Sequence, residues 1–138
     1  MVTGAEAADT ACKIARKWGV KRKGIAPDDV LILGCSDNYH GLTSGIWPIM
    51  NPGAQAGEFL RVFPFFAGLC HLTALEYALT SKTTTNCNPR TGELLRYGHV
   101  EDFEAVLNDT HDRVAAIILE CIHGQLPLVL PGSSLRLL

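Results

Sequence analysis

A mostly parallel α/β sheet with flanking helices is what the patterning of this chain predicts. Two short runs carry that reading, residues 30–34 (VLILG) and 114–119 (VAAIIL). Each is continuously apolar and bounded by polar or turn residues, as expected of strands covered on both faces. Stretches with helical spacing lie before and between them, and strands alternating with helices favour parallel pairing. The chain has 138 residues, 47% hydrophobic and 19% charged, with a net charge of −2. That length suits one domain and that composition is globular rather than disordered. With two or three strands the sheet looks incomplete, because its edges would stay open.

The first element is a helix over residues 4–18. Thr3 and Glu6 have the spacing of a capping box, in which the hydroxyl takes the N–H three residues on and the carboxylate reaches back. Ala8, Ala11, Cys12, Ala15 and Trp18 fall on one face. Lys13, Arg16 and Lys17 sit in the last turns, where cations suit the helix dipole. Gly19 reads as the stop. Residues 21–29 form a polar connection punctuated by Gly24 and Pro27, and the strand at 30–34 follows. Residues 36–41 (SDNYHG) are small, polar and aromatic together, which suits a functional loop at a strand's carboxyl end.

Residues 43–50 are ambiguous, since Thr43 could cap a short helix while Gly45 and Pro48 oppose one. Residues 51–57 read as a loop. Residues 63–85 are apolar without a consistent period. Leu72, Leu75 and Leu79 hint at a helix there, and Ser81 to Thr85 reads as a polar linker. Leu94 to Tyr97 is a possible strand. Residues 101–108 form a helix with Val100, Phe103, Val106 and Leu107 on one side. The strand at 114–119 runs into Glu120. The tail, 126–138, has no period and no cap, and no internal repeat occurs.

Several function classes are disfavoured. A net charge of −2 gives no clustered positive surface for nucleic acid or an anionic membrane. No apolar run approaches the ~20 residues that span a bilayer, and the first residues lack the pattern of a secretory signal. The cysteines, Cys12, Cys35, Cys70, Cys87 and Cys121, are odd in number and contain no CxxC, so reduced thiols in the cytoplasm are expected. Cys70–His71 and Cys121-x-His123 match no common zinc module, so no metal is expected.

Three places could carry chemistry. At Thr3-Gly4-Ala5-Glu6 the helix start offers backbone N–H groups without intrahelical acceptors, which suits a phosphate. A capped helix with nothing bound explains the same residues. In Asn38-Tyr39-His40-Gly41 an aromatic and a histidine could stack on a planar ligand and titrate near neutrality. A surface turn shaped by Asn38 and Gly41 is the plainer account. Glu120 ends an apolar strand, where a carboxylate is either at a crevice or simply at a solvent-exposed end.

The stretches VTGAEAADTACKIARKWGV, ILGCSDNYHG and RYGHVEDFEAVLNDTHDRVAAIILECIHGQ together resemble the class III pyridoxal-phosphate-dependent aminotransferases, and within that class the ornithine aminotransferases. The resemblance covers about residues 2–57 and 86–125. It implies part of the large domain of the fold type I enzymes over residues 1–125, with 63–85 as an unmatched insertion-like segment and 126–138 as a divergent tail. It implies pyridoxal 5'-phosphate as cofactor, with its phosphate on Gly4 and Ala5, its ring on Tyr39, and His40 and Glu120 close by. The substrates implied are ornithine and a 2-oxo acid such as 2-oxoglutarate, and the assembly implied is a homodimer.

The departures matter as much. Leu42 stands where the family has an arginine that binds a substrate carboxylate, and an aliphatic group cannot replace that fork. Cys121, His123 and Gln125 replace the family's Pro, Gln and second Glu. No residue matches the aspartate at the pyridine nitrogen or the lysine that the chemistry requires. The resemblance therefore implies a truncated chain, inactive by itself and without catalytic residues of its own. Two other accounts stay open: a non-catalytic remnant that binds an aminotransferase subunit, or a generic phosphate-ester-binding α/β module.

Overall fold

A computed structural model of the chain describes residues 1–43, 45–49 and 83–122. Three parallel strands form one sheet in the order β2-β1-β3. They are β1 (Leu31–Leu33), β2 (Thr84–Thr85) and β3 (Val114–Ile117). Ile32 lies opposite Thr84 and Ala116, and the β1–β3 register shifts between Leu31 and Ile32. The α/β fold and the parallel pairing of the two apolar runs are as the sequence predicts, although both strands are shorter than the runs that contain them.

The side chains of β1 alternate between two cores, as the period of a strand requires. Leu31 and Leu33 join Leu95, Val106 and Val114, with Phe103, Leu107 and Ile117 against them. Ile32 turns the other way, into Cys12, Ile46 and Ile49, with Ala8, Ala15 and Ile118. Helix α2 (Val100–Thr110) therefore covers one face and helix α1 (Gly4–Trp18) the other. All three β1 side chains are fully buried, each contributing roughly 1.5–3 kcal/mol of transfer free energy.

Helix α1 begins with the expected capping box. The Thr3 hydroxyl accepts from the Glu6 N–H at 3.2 Å, and Glu6 Oε2 accepts from the N–H groups of Thr3 at 2.9 Å and Val2 at 2.6 Å. The α-helix ends at Trp18 with Gly19 as its C-cap, as expected, but the form of the cap differs. Gly19 is right-handed, with φ −54°, and the chain continues through a wide π-helical turn, Gly19–Lys23, to a left-handed Gly24 at φ +73°. Gly19 is there for packing: a Cβ on it would lie 2.9 Å from Ala115 Cβ. The buried stripe is thus Ala8, Cys12, Ala15 and Gly19, and Ala11 and Trp18 sit off its edge, exposed. Among the terminal cations, Lys13 pairs with Asp9 and Arg16 donates to Thr84 Oγ1 at 2.8 Å. Lys23 Nζ donates to the carbonyls of His111 and Val114, which fixes the amino end of β3.

Leu94–Tyr97 is not a strand. Cys87 and Leu94 make an isolated antiparallel bridge, and Leu95 N–H donates to Asn86 O. Asn88 Oδ1 takes the N–H groups of Arg90 and Thr91, and Gly92 is left-handed, so the loop turns too tightly for a ladder. Leu95 instead enters the core, fully buried. Within the stretch 43–50, ambiguous in sequence, Trp47–Ile49 form a 3₁₀ turn, and Ile46 and Ile49 enter the α1 side of the core. Helix α2 extends past the expected 101–108 at both ends, and Thr110 Oγ1 donates to Val106 O in its last turn. The loop at 51–57, the helix hinted by Leu72, Leu75 and Leu79, Cys70–His71, His123, Gln125 and the tail at 126–138 lie outside the described residues.

Candidate functional site

The carboxyl ends of β1 and β3 open toward the start of α1, the usual place for a site in an open parallel sheet. The chain leaves β1 through Gly34, where a Cβ would come 2.5 Å from Ile49 O. Cys35, Ser36 and Asn38 are then buried, and Asp37 is left-handed at φ +59°. Tyr39 emerges, 58% exposed, and His40 is half-buried. Gly41, at φ +107°, lies flat against α1: a Cβ there would lie 2.8 Å from Ala5 Cα. Both the backbone angle and the contact require glycine.

That contact brings the Tyr39–Gly41 loop to the start of α1. Thr3 satisfies the N–H groups of Glu6 and Ala7, while those of Gly4 and Ala5 have no acceptor among the described residues. The space beside Gly4 is open, with nothing within 4 Å of where a Cβ would be. A helix start with open donors and a positive dipole can hold an anion.

Glu120 reaches the same loop from β3. Its N–H donates to Asn38 Oδ1 at 2.8 Å, and its carbonyl accepts from the Tyr97 hydroxyl at 2.8 Å. Both backbone groups of Glu120 are therefore pinned while its side chain stays partly exposed. Burial lowers the pKa of His40 below its usual range, and the Glu120 carboxylate opposes that shift in part. Burial pushes the Cys35 thiol up to about 12, with the charges of Glu120 and Asp37 adding to it, so it stays a thiol.

Gly4, Ala5, Tyr39, His40 and Glu120 thus come to one end of the sheet, the first four through the Gly41–Ala5 contact and Glu120 through Asn38. Asn38, Asp37 and Tyr97 do structural work there that residue type alone does not assign. The signal for Asn38 is weak, since its partner lies 82 residues away. Asn38 Nδ2 and Thr43 Oγ1 are buried without a hydrogen-bond partner among the described residues. Open N–H groups at a helix start, an exposed aromatic ring and a buried amide without a partner among the described residues are groups that a phosphorylated pyridine could use, so the residues present are compatible with pyridoxal phosphate.

Comparison with known proteins identifies the family. The sequence model of the family described as aminotransferase class-III matches residues 1–134. An ornithine aminotransferase of Emericella nidulans is 56% identical over 134 residues, which cover 97% of this chain and 26% of that protein. One of Schizosaccharomyces pombe is 36% identical over 138 residues, covering 97% and 26%. A mitochondrial ornithine aminotransferase of Arabidopsis thaliana is 26% identical over 135 residues, covering 97% and 23%. The chain spans about a quarter of the length of the curated relatives it matches. The family match runs through residues 63–85, which the motifs alone leave unmatched. With the match extending over nearly all of its residues, this chain belongs to the class III aminotransferase family.

Proposed function

We propose that this chain supplies the phosphate and ring site of a pyridoxal-phosphate-dependent aminotransferase that takes an amino group from ornithine to a 2-oxo acid. One observation carries the reading most directly. Gly41 packed on Ala5 brings the loop that carries the exposed Tyr39 against the helix start that carries the open N–H groups of Gly4 and Ala5.

In this reading Gly4 and Ala5 donate to the phosphate, and the helix dipole favours its charge. Tyr39 offers its ring as a stacking face. Burial keeps the His40 imidazole neutral near pH 7, so it meets the ligand as an uncharged hydrogen-bonding group. Asn38 and Tyr97 hold the Glu120 backbone, and so orient its carboxylate at the crevice. The cofactor, when bound, supplies the electron sink. Transamination also needs a lysine beside the cofactor to move a proton, and such assistance is typically worth about 10²–10⁴-fold. Lys13 is engaged with Asp9, and Lys23 with the amino end of β3, at the opposite end of the strand. Neither of these two lysines is placed for that step, and we expect the 138-residue polypeptide by itself to bind without turnover.

Residues 1–125 are read as part of the cofactor-binding large domain, within a homodimer. No helix among the described residues is long and apolar enough to cross a membrane. Cys12, Cys35, Cys87 and Cys121 are free thiols, which suit a reducing compartment, and the cytoplasm is the one proposed. The test is a fluorescence titration with pyridoxal phosphate and with pyridoxal. Tighter binding of the phosphorylated form supports the reading, and equal affinity for both overturns the helix-start site.

A further inference from the structure

The net charge of −2 conceals an uneven distribution. Residues 13–23 carry Lys13, Arg16, Lys17, Lys21, Arg22 and Lys23 and no acid. Residues 100–112 carry Glu101, Asp102, Glu104, Asp109 and Asp112 and no lysine or arginine. The first group lies on α1 and the π-helical turn that follows it, the second on α2 and just beyond. These helices cover opposite faces of the sheet. One side is therefore basic and the other acidic, and net charge, which argues against a basic surface, averages the two.

The basic side is also apolar. Ala7, Ala11, Ile14 and Trp18 recur at helical spacing and form one stripe along α1. All are exposed, Ile14 at 64% and Trp18 at 47%. Lys13 and Lys17, four apart, make a second row beside it, which Lys21 and Arg22 continue in the π-helical turn, all exposed. The Lys23 ammonium stands 6.0 Å from the centre of the Trp18 ring. The other side of α1 is fixed in the core by Ala8, Cys12 and Ala15, and Arg16 ties it to Thr84.

Such a surface calls for an occupant that is negative and apolar at once. The acidic side of a second copy offers carboxylates, but the exposed positions of α2, namely Glu101, Glu104, Ala105, Asn108 and Asp109, hold no large apolar group. A nucleic acid would answer the cations and one ring, and leave Ile14 and the alanines without a partner. An anionic bilayer supplies both, acyl chains beneath negative headgroups, and tryptophan favours that boundary.

We propose that the outer face of α1 docks on anionic lipid surfaces, with Ile14 and Trp18 as apolar anchors and Lys13, Lys17, Lys21 and Arg22 against the headgroups. The inference is independent of the cofactor-site reading, because most of these residues lie toward the end of α1 away from Gly4 and Ala5.

The test is sedimentation of the full chain with vesicles of phosphatidylcholine alone and of an equal mixture with phosphatidylserine, at low salt. Binding to the mixed vesicles is expected to be at least about tenfold tighter, and added salt should release the chain. Lys17→Glu with Lys21→Glu should cost at least about tenfold in that binding, and Ile14→Ser about tenfold through lost apolar contact. Unchanged thermal midpoints and pyridoxal phosphate affinity in these variants would show that the surface alone was lost. Lys17→Gln with Lys21→Gln gives the same reading through a milder change if the charge reversal unfolds the chain. Equal binding to both vesicle types, or binding unmoved by the lysine variants, would overturn the proposal. Retention on immobilised polyglutamate without vesicle binding would overturn it in favour of an acidic protein, and self-association without vesicle binding in favour of a second copy.

Discussion

The starts of α1 and α2 face the same physics, since the first N–H groups of any helix lack intrahelical acceptors. In α2 the chain fills the positive end with its own acids. Glu101 and Asp102 occupy the first turn, Arg96 locks the Asp102 carboxylate from Nε, Nη2 and the backbone N–H, and His99 Nδ1 lies 2.8 Å from Glu101 Oε1. In α1 the sole first-turn acid, Glu6, turns outward to Val2 and Thr3, and Gly4 and Ala5 stay open. The open end is also the one with a loop laid against it, through Gly41. The proposed anion site thus differs from the start of α2 in what the chain leaves unfilled and in what it packs alongside.

The largest effect should come from breaking that packing. Gly41→Ala needs a side chain at φ +107° and inside van der Waals contact with Ala5. Backbone strain costs about 1–3 kcal/mol, and overpacking adds about 1–3 kcal/mol. We expect a clear fall in the thermal midpoint and at least about a tenfold loss of pyridoxal phosphate affinity. Gly92→Ala is the control, at φ +76° with open space around it, so it should carry the strain and leave binding intact. Matching effects of the two variants on binding would break the comparison.

A smaller effect should separate the two helix starts directly. Gly4 and Val100 are both first helical residues, where proline is tolerated because its missing N–H had no intrahelical partner. The preceding residues, Thr3 at ψ 158° and His99 at ψ 93°, are already extended, as proline prefers. Gly4→Pro should fold and lose a phosphate donor, weakening pyridoxal phosphate by about tenfold, the worth of one hydrogen bond to a charged group. Val100→Pro should leave binding unchanged. Calorimetric titration of both variants reads the difference, and equal losses would show that Gly4 donates nothing.

The residues that local rules govern are legible in the sequence. Thr3 and Glu6 announce the start of α1, and the two apolar runs announce β1 and β3 because burial on both faces leaves no alternation. What the sequence hides depends on distant partners. Gly19 looks like a helix stop until Ala115 is placed against it. Leu94–Tyr97 has strand-like residues, but its neighbours form a tight loop instead of a ladder. At the site, Gly4, Ala5, Tyr39 and Glu120 stand out by type and position, and the resemblance to a family names their roles. The hydrogen bonds of Glu120 with Asn38 and Tyr97 reach across 82 and 23 residues, and no local pattern encodes them.

His40 gives a spectroscopic measure of how closed the loop is. Burial holds its pKa below 6.5 against the opposing charge of Glu120. A histidine with a depressed folded pKa contributes stability that is present above the unfolded value and lost as pH falls through the folded one. Stability should therefore drop on acidification below about pH 6.5, and His40→Asn should flatten that part of the profile. Glu120→Gln removes the opposing charge and should lower the His40 pKa further. Proton chemical shifts of the ring report both, and a His40 that titrates above about 6.5 would mean the loop is solvated.

The smallest effect belongs to the acids that close the start of α2. Arg96 holds the Asp102 carboxyl at about 2, below its usual 3.8. A carboxylate with a depressed folded pKa stabilises the fold above the unfolded value, and that contribution is lost as pH falls through the folded one. The window here runs from about pH 4 down to about pH 2. The Arg96 side chain is 54% exposed, so solvent screens the pair and the whole contribution is about 0.2–1 kcal/mol. Asp102→Asn should therefore be slightly less stable than the parent in urea unfolding at about pH 6, and the gap should close by about pH 2. The same variant reopens the positive end of α2 while leaving Gly41 on α1 untouched. If it then bound pyridoxal phosphate at a second site as tightly as the first, an unfilled helix start alone would suffice, and the packed loop would have no part in defining the site.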